Sequence, residues 1–97
     1  MKFAFILLSG FDARADRAAI HGDAAQIAGV SSVAEACRAA RDLCASGVGC
    51  IELCGAFGEA GAREVVAATE GRVPVGYVVH LPGQDGLYAK AFGPQEG

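Results

Sequence analysis

The apolar positions of this 97-residue chain fall into short blocks with two different periods. After its lysine, Lys2–Leu8 is continuously apolar and reads as a buried first strand. Ser9-Gly10-Phe11-Asp12 breaks it. Asp12 is placed to cap a short helix over Ala13–Ile20, closed by His21-Gly22-Asp23. Ala24–Val30 predicts a second strand, weakened by its alanines. Ser31 or Ser32 caps the next helix, and Glu35 stands three residues beyond Ser32, the capping-box spacing. That helix runs to about Ala45 with Val33, Cys37, Ala40 and Cys44 as its apolar stripe, and Gly47 terminates it. Val48–Leu53 is the third strand, and Cys54-Gly55-Ala56-Phe57-Gly58-Glu59 is the loop after it. A third helix is expected from near Ala60 to between Thr69 and Gly71, and a fourth strand over Val73–His80, stopped by Leu81-Pro82-Gly83. The tail, residues 84–97, is turn-rich and reads as irregular, with room for a short strand at Leu87–Phe92. It is a candidate lid or exchanged arm.

Strands alternating with helices imply an α/β fold with parallel pairing through right-handed crossovers. The expectation is one domain over residues 1–97, built on a small, mostly parallel four-stranded sheet. Two main helices and one short helix accompany it. There is no internal repeat, low-complexity stretch or linker. Two full helices cannot cover both faces of such a sheet, although a parallel sheet is normally covered on both. A second subunit is the expected cover. Composition sharpens this: 53% of residues are hydrophobic and 20% charged, with mean hydropathy +0.34, on a body too small to bury them all. A homo-oligomer, dimer or higher, follows.

Net charge is −3 with no basic cluster, which argues against nucleic acid as a partner. Residues 1–47 hold five basic and five acidic groups, and residues 48–97 hold three and six. No apolar run approaches the ~18 residues of a transmembrane helix, so no membrane role is expected. The apolar stretch Phe3–Leu8 is shorter than a signal-peptide core, and Ala13-Arg14-Ala15 is a poor cleavage site. A cytoplasmic protein is expected. The four cysteines, Cys37, Cys44, Cys50 and Cys54, match no zinc-finger spacing, and in a reducing compartment they are not a disulfide framework. Cys37 and Cys44 read as small core residues.

Chemistry concentrates around the third strand. Alternation puts Cys50, Glu52 and Cys54 on one face and Gly49, Ile51 and Leu53 on the other. A glutamate in the middle of an inner strand is the oddest residue in the chain. Its carboxylate must be paired, held protonated, or turned to a solvated cavity. Glu52 is therefore a candidate acid–base group or, equally, a subunit contact. Gly55, Gly58 and Gly61 follow at every third position, where a strand end meets a helix start. This is neither a dinucleotide fingerprint nor a Walker loop, but such a junction suits an anion. Gly55, Phe57, Gly58, Glu59, Gly61 and Arg63 are the candidate ligand-binding set, joined by Ser9 and Gly10 at the end of the first strand. The same glycines also suit a plain tight turn. His80, closing the fourth strand, is a second candidate acid–base group, and Cys54 a candidate nucleophile before a helix N-terminus. A metal held by Glu52, His80 and Cys54 ranks below these. No cofactor or resident metal is expected.

The block Ile51-Glu52-Leu53-Cys54-Gly55-Ala56-Phe57-Gly58, with the opening strand and Val73-Pro74-Val75-Gly76, resembles a family of small bacterial proteins, domain of unknown function 6506. The resemblance runs over most of the chain. It implies that Glu52, Cys54, Gly55, Phe57 and Gly58 belong together, and it implies no reaction. The strand–loop–helix block is also similar to one βα unit of a phosphate-binding (β/α)₈ barrel, an analogy that carries no function.

Two functions fit. In the first, a small oligomer binds an anionic metabolite, a carboxylate or phosphate, at the glycine loop. Glu52 then moves a proton with His80 as partner, in a cofactor-independent lyase or isomerase. In the second, the chain is a noncatalytic ligand-binding or assembly module in which Glu52 is a structural subunit contact.

Overall fold

A computed structural model describes residues 1–93. Its elements are β1 (Lys2–Leu8), β2 (Arg17–Ile20), β3 (Ala25–Val30), α1 (Val33–Ala45), β4 (Val48–Leu53), α2 (Gly58–Ala68), β5 (Val75–Tyr77) and α3 (Asp85–Phe92). The five strands form one mixed sheet in the order β2-β3-β1-β4-β5. The pairs β1–β3, β1–β4 and β4–β5 are parallel, and β2 is antiparallel to β3.

The α/β class and three of the four expected strands stand. The sheet, however, has five strands instead of four. The expected short helix Ala13–Ile20 is a turn followed by the edge strand β2. Alanine is a strong helix former, but propensity yields where tertiary pairing competes. Here Asp12 closes a turn instead, its backbone N–H donating to Asp16 Oδ2 at 2.7 Å and its Oδ1 accepting from the Arg14 N–H at 2.9 Å. The chain then pairs back on β3, Arg17 opposite Ala28. The fourth strand, expected over Val73–His80, shrinks to Val75–Tyr77. The tail is not irregular: Asp85–Phe92 is helical, where a short strand seemed admissible. Residues 94–97 of that tail lie outside the described part.

α1 starts as the capping pattern predicts. Ser32 Oγ accepts the Glu35 N–H at 3.1 Å. Glu35 returns not to Ser32 but to Ser31, accepting from its N–H and its hydroxyl, both at 2.7 Å. These bonds, and Arg38 nearby, hold the Glu35 carboxyl below its ordinary value. The buried stripe of α1 is Ala36, Ala40 and Leu43. Cys37 and Cys44 flank it, half-buried, and the Cys37 thiol donates to the Glu64 carbonyl of α2 at 3.6 Å.

The connection β3-α1-β4 passes over β1, and β4-α2-β5 advances the same way along the sheet. Two crossovers of one hand moving in one direction deposit both helices on the same face. α1 and α2 accordingly pack on each other and on that face. Ala4 and Ile6 of β1, Val30 of β3, and Ile51 and Leu53 of β4 form the core beneath them, with Val65 of α2. The alternate side chains Phe3, Phe5, Leu7, Ile27, Cys50 and Glu52 lie on the other face, which no described helix covers.

Candidate functional site

Parallel pairing brings the ends of β1 and β4 to one edge of the sheet, and the glycine block follows β4 there. Gly55–Phe57 forms a single 3₁₀ turn in which Phe57 N–H donates to the Cys54 carbonyl at 3.2 Å. Gly58, at φ 62°, then opens α2; only glycine adopts that conformation without strain. Phe57 points inward and belongs to the core. Gly61 lies so close to it that a Cβ there would meet the Phe57 ring at 3.3 Å. Gly61 thus lets the first turns of α2 close against Phe57 of the preceding 3₁₀ turn.

Arg63 turns to a side chain of its own helix in this arrangement. Its guanidinium binds Glu59 Oε2 through Nε at 3.0 Å and through a terminal nitrogen at 2.8 Å, an exposed i,i+4 pair. The Glu59 carboxylate itself stands in the first turn of α2, where a negative charge complements the helix dipole. Ser9 and Gly10 sit at the expected edge, with Ser9 N–H donating to the Val30 carbonyl at 3.0 Å.

The expected row Cys50, Glu52, Cys54 divides. Cys54 turns back toward the core, and its sulfur accepts the Leu8 backbone N–H at 3.2 Å. Cys50 and Glu52 stay together on the bare face, the Cys50 thiol donating to Glu52 Oε1 at 3.6 Å. Burial first, and the adjacent carboxylate second, push the Cys50 thiol above its ordinary value. Glu52 stands opposite Phe5 on one side and Gly76 on the other. Its carboxylate lies over Gly76, where a Cβ would come within 2.6 Å of Oε2. Glu52 is half-buried, and among the described residues it has no ion-pair partner.

His80 goes elsewhere. Its Nε2 is 2.6 Å from Asp85 Oδ1, and its ring stacks on Tyr88 with centroids 3.9 Å apart and planes at 11°. It anchors the C-terminal helix instead of completing a pair with Glu52. Among the described residues no three His, Cys, Asp or Glu side chains are disposed to hold a metal, and Glu52, His80 and Cys54 are not gathered. No helix among them is long and apolar enough to cross a membrane.

The feature that residue types alone did not reveal is the shape of the bare face. Phe3, Phe5, Leu7, Ala18, Ile20 and Ile27 line a hollow of about 420 Å³ there. Phe3 is 42% exposed, Ile27 48% and Ile20 69%. The period-two pattern of β1 contains these residues, but the β2–β3 hairpin that walls the hollow was hidden in an alanine-rich stretch. A second, smaller hollow of about 250 Å³ lies where Arg17, Gln26 and Leu43 approach one another.

Comparison with curated proteins and with solved structures gives no match. Residues 1–93 match the family of unknown function DUF6506, and the chain belongs to that family.

Proposed function

We propose that this chain is an assembly module, a subunit that self-associates through the bare face of its sheet, with Glu52 at the contact. One observation carries this: an apolar row from three strands, hollowed to about 420 Å³, lies opposite the only face that the described helices cover. Leaving such a row in water forgoes about 25 cal/mol for each Å² that burial would remove. A second copy supplies the missing layer without a new chain. Sedimentation equilibrium at micromolar concentration tests the proposal. A stable dimer or higher oligomer is expected, and a monomer throughout overturns it.

A second reading rests on Glu52. A half-buried carboxylate without an ion-pair partner, beside a thiol and an apolar hollow, is a reasonable general base once a cover excludes water. The chain would then be a cofactor-independent lyase or isomerase. An anionic metabolite at Gly55–Gly61 has less support, because Glu59 already engages Arg63. Glu52→Gln separates the two readings: an intact oligomer with lost turnover favours the enzyme, and altered association favours the module.

A further inference from the structure

The chain carries a second unpartnered apolar surface. α3 contains no buried residue; Leu87 is 62% exposed and Phe92 71%, and Val79 and Leu81 in the segment before it are equally open. α3 projects from the body. The described residues span 39 Å along the longest axis against 25 and 23 Å, and their radius of gyration is 13.6 Å, where a compact chain of this length gives about 12.5 Å. Eight residues of isolated helix are marginal in water. Local contacts support this one: Asp85 and Tyr88 meet His80 just before it, and within the helix Tyr88 stacks on Phe92 with centroids 5.8 Å apart. The arm is therefore ordered in a pose that leaves its apolar side chains outside.

We infer that α3 of one copy lies across the bare sheet face of a second copy, with Lys90 beside Glu52, and that the second copy returns the contact. This rests on the self-association proposed above and names the element that makes it. Charge supports the match. Glu52, on the bare face, has no ion-pair partner among the described residues, and neither has Lys90, in the last turn of α3. The surfaces match in kind as well: Leu87 and Phe92 on the arm and Phe3, Ile20 and Ile27 on the face are all exposed apolar side chains. Reciprocal exchange of one element between identical chains closes as a two-fold dimer.

Charge reversal and arm variants, read by sedimentation equilibrium on the full chain, test the inference. The double variant Leu87→Asp, Phe92→Asp changes exposed side chains only, and circular dichroism confirms that the body stays folded. It is expected to weaken dimerisation at least a hundredfold. Lys90→Glu is expected to weaken it about tenfold, and Glu52→Lys added to Lys90→Glu to restore it. A wild-type monomer overturns both this inference and the self-association beneath it. A wild-type dimer that survives the arm variants leaves self-association standing and overturns the arm. So does failure of the charge reversal to rescue.

Discussion

The two faces of this sheet are made from the same strands by the same alternation, yet they have opposite fates. On one, Ala4, Ile6, Ile51 and Leu53 are sealed beneath α1 and α2. On the other, Phe3, Phe5 and Ile27 are larger side chains left in contact with solvent, with Glu52 among them. Hydrophobicity does not distinguish the rows; if anything, the bare row carries the bulkier residues. The direction in which the chain advances through the sheet distinguishes them. Both crossovers move from β3 toward β5, so both helices arrive on one side. An apolar row is thus a demand for a cover, and topology decides whether the chain meets that demand itself.

The comparison breaks most readily by truncating one side chain from each face. Ile6→Ala opens a cavity in a sealed layer and is expected to cost about 2–5 kcal/mol in denaturant unfolding. Phe3→Ala, read on the same scale in dilute protein, is expected to cost well under half as much, because much of its ring is already exposed. Equal losses would show that the second face is as tightly packed as the first.

A smaller effect is expected at Gly29, where the bare face does have a local cover. A Cβ at that position would lie 2.7 Å from the Phe11 ring and 2.8 Å from Phe11 Cβ. Since Phe11 Cβ is tied to its backbone, Gly29→Ala must move the loop after β1, at about 1–3 kcal/mol. An unchanged melting temperature would show that this loop yields freely.

The smallest effect sharpens the chemistry of the bare face. The Cys50 thiol is pushed up in the folded chain by burial and by Glu52, so the folded state holds its proton after the unfolded chain has lost one at the ordinary value of 9.0. Stability from this thiol is full below that value and falls as pH rises past it. Cys37, raised by burial, adds a loss of the same sign. Glu52→Gln removes one of the two causes at Cys50. Its thiolate, followed by ultraviolet absorbance, should appear at lower pH in that variant, and an unmoved titration would show that burial alone sets it.

Much of this was legible along the chain. The capping pattern at Ser32 and Glu35 placed α1, because a cap is a contact between residues three apart. β1 and β4 were legible as apolar blocks, and the oddness of Glu52 followed from alternation alone. Arg17–Ile20 was not legible. Its alanines carry no strand preference, and only hydrogen bonding to β3 makes it a strand. The grouping of the candidate residues was not legible. Cys54 follows the alternation rule only as far as the strand lasts, and past its end the sulfur turns to Leu8. His80 reads as a strand-end residue, but Asp85 and Tyr88, five and eight positions on, claim its ring.

The local order of residues determined where α1 begins, that Lys2–Leu8 and Val48–Leu53 are strands, and that one acidic side chain must lie among apolar ones, because caps and alternation act over a few neighbouring positions. Only the tertiary structure decided that both helices share a face and that an apolar sheet face and an apolar arm stand open together. Those outcomes depend on strand order and on where the chain leaves the sheet, which no window of a few residues contains.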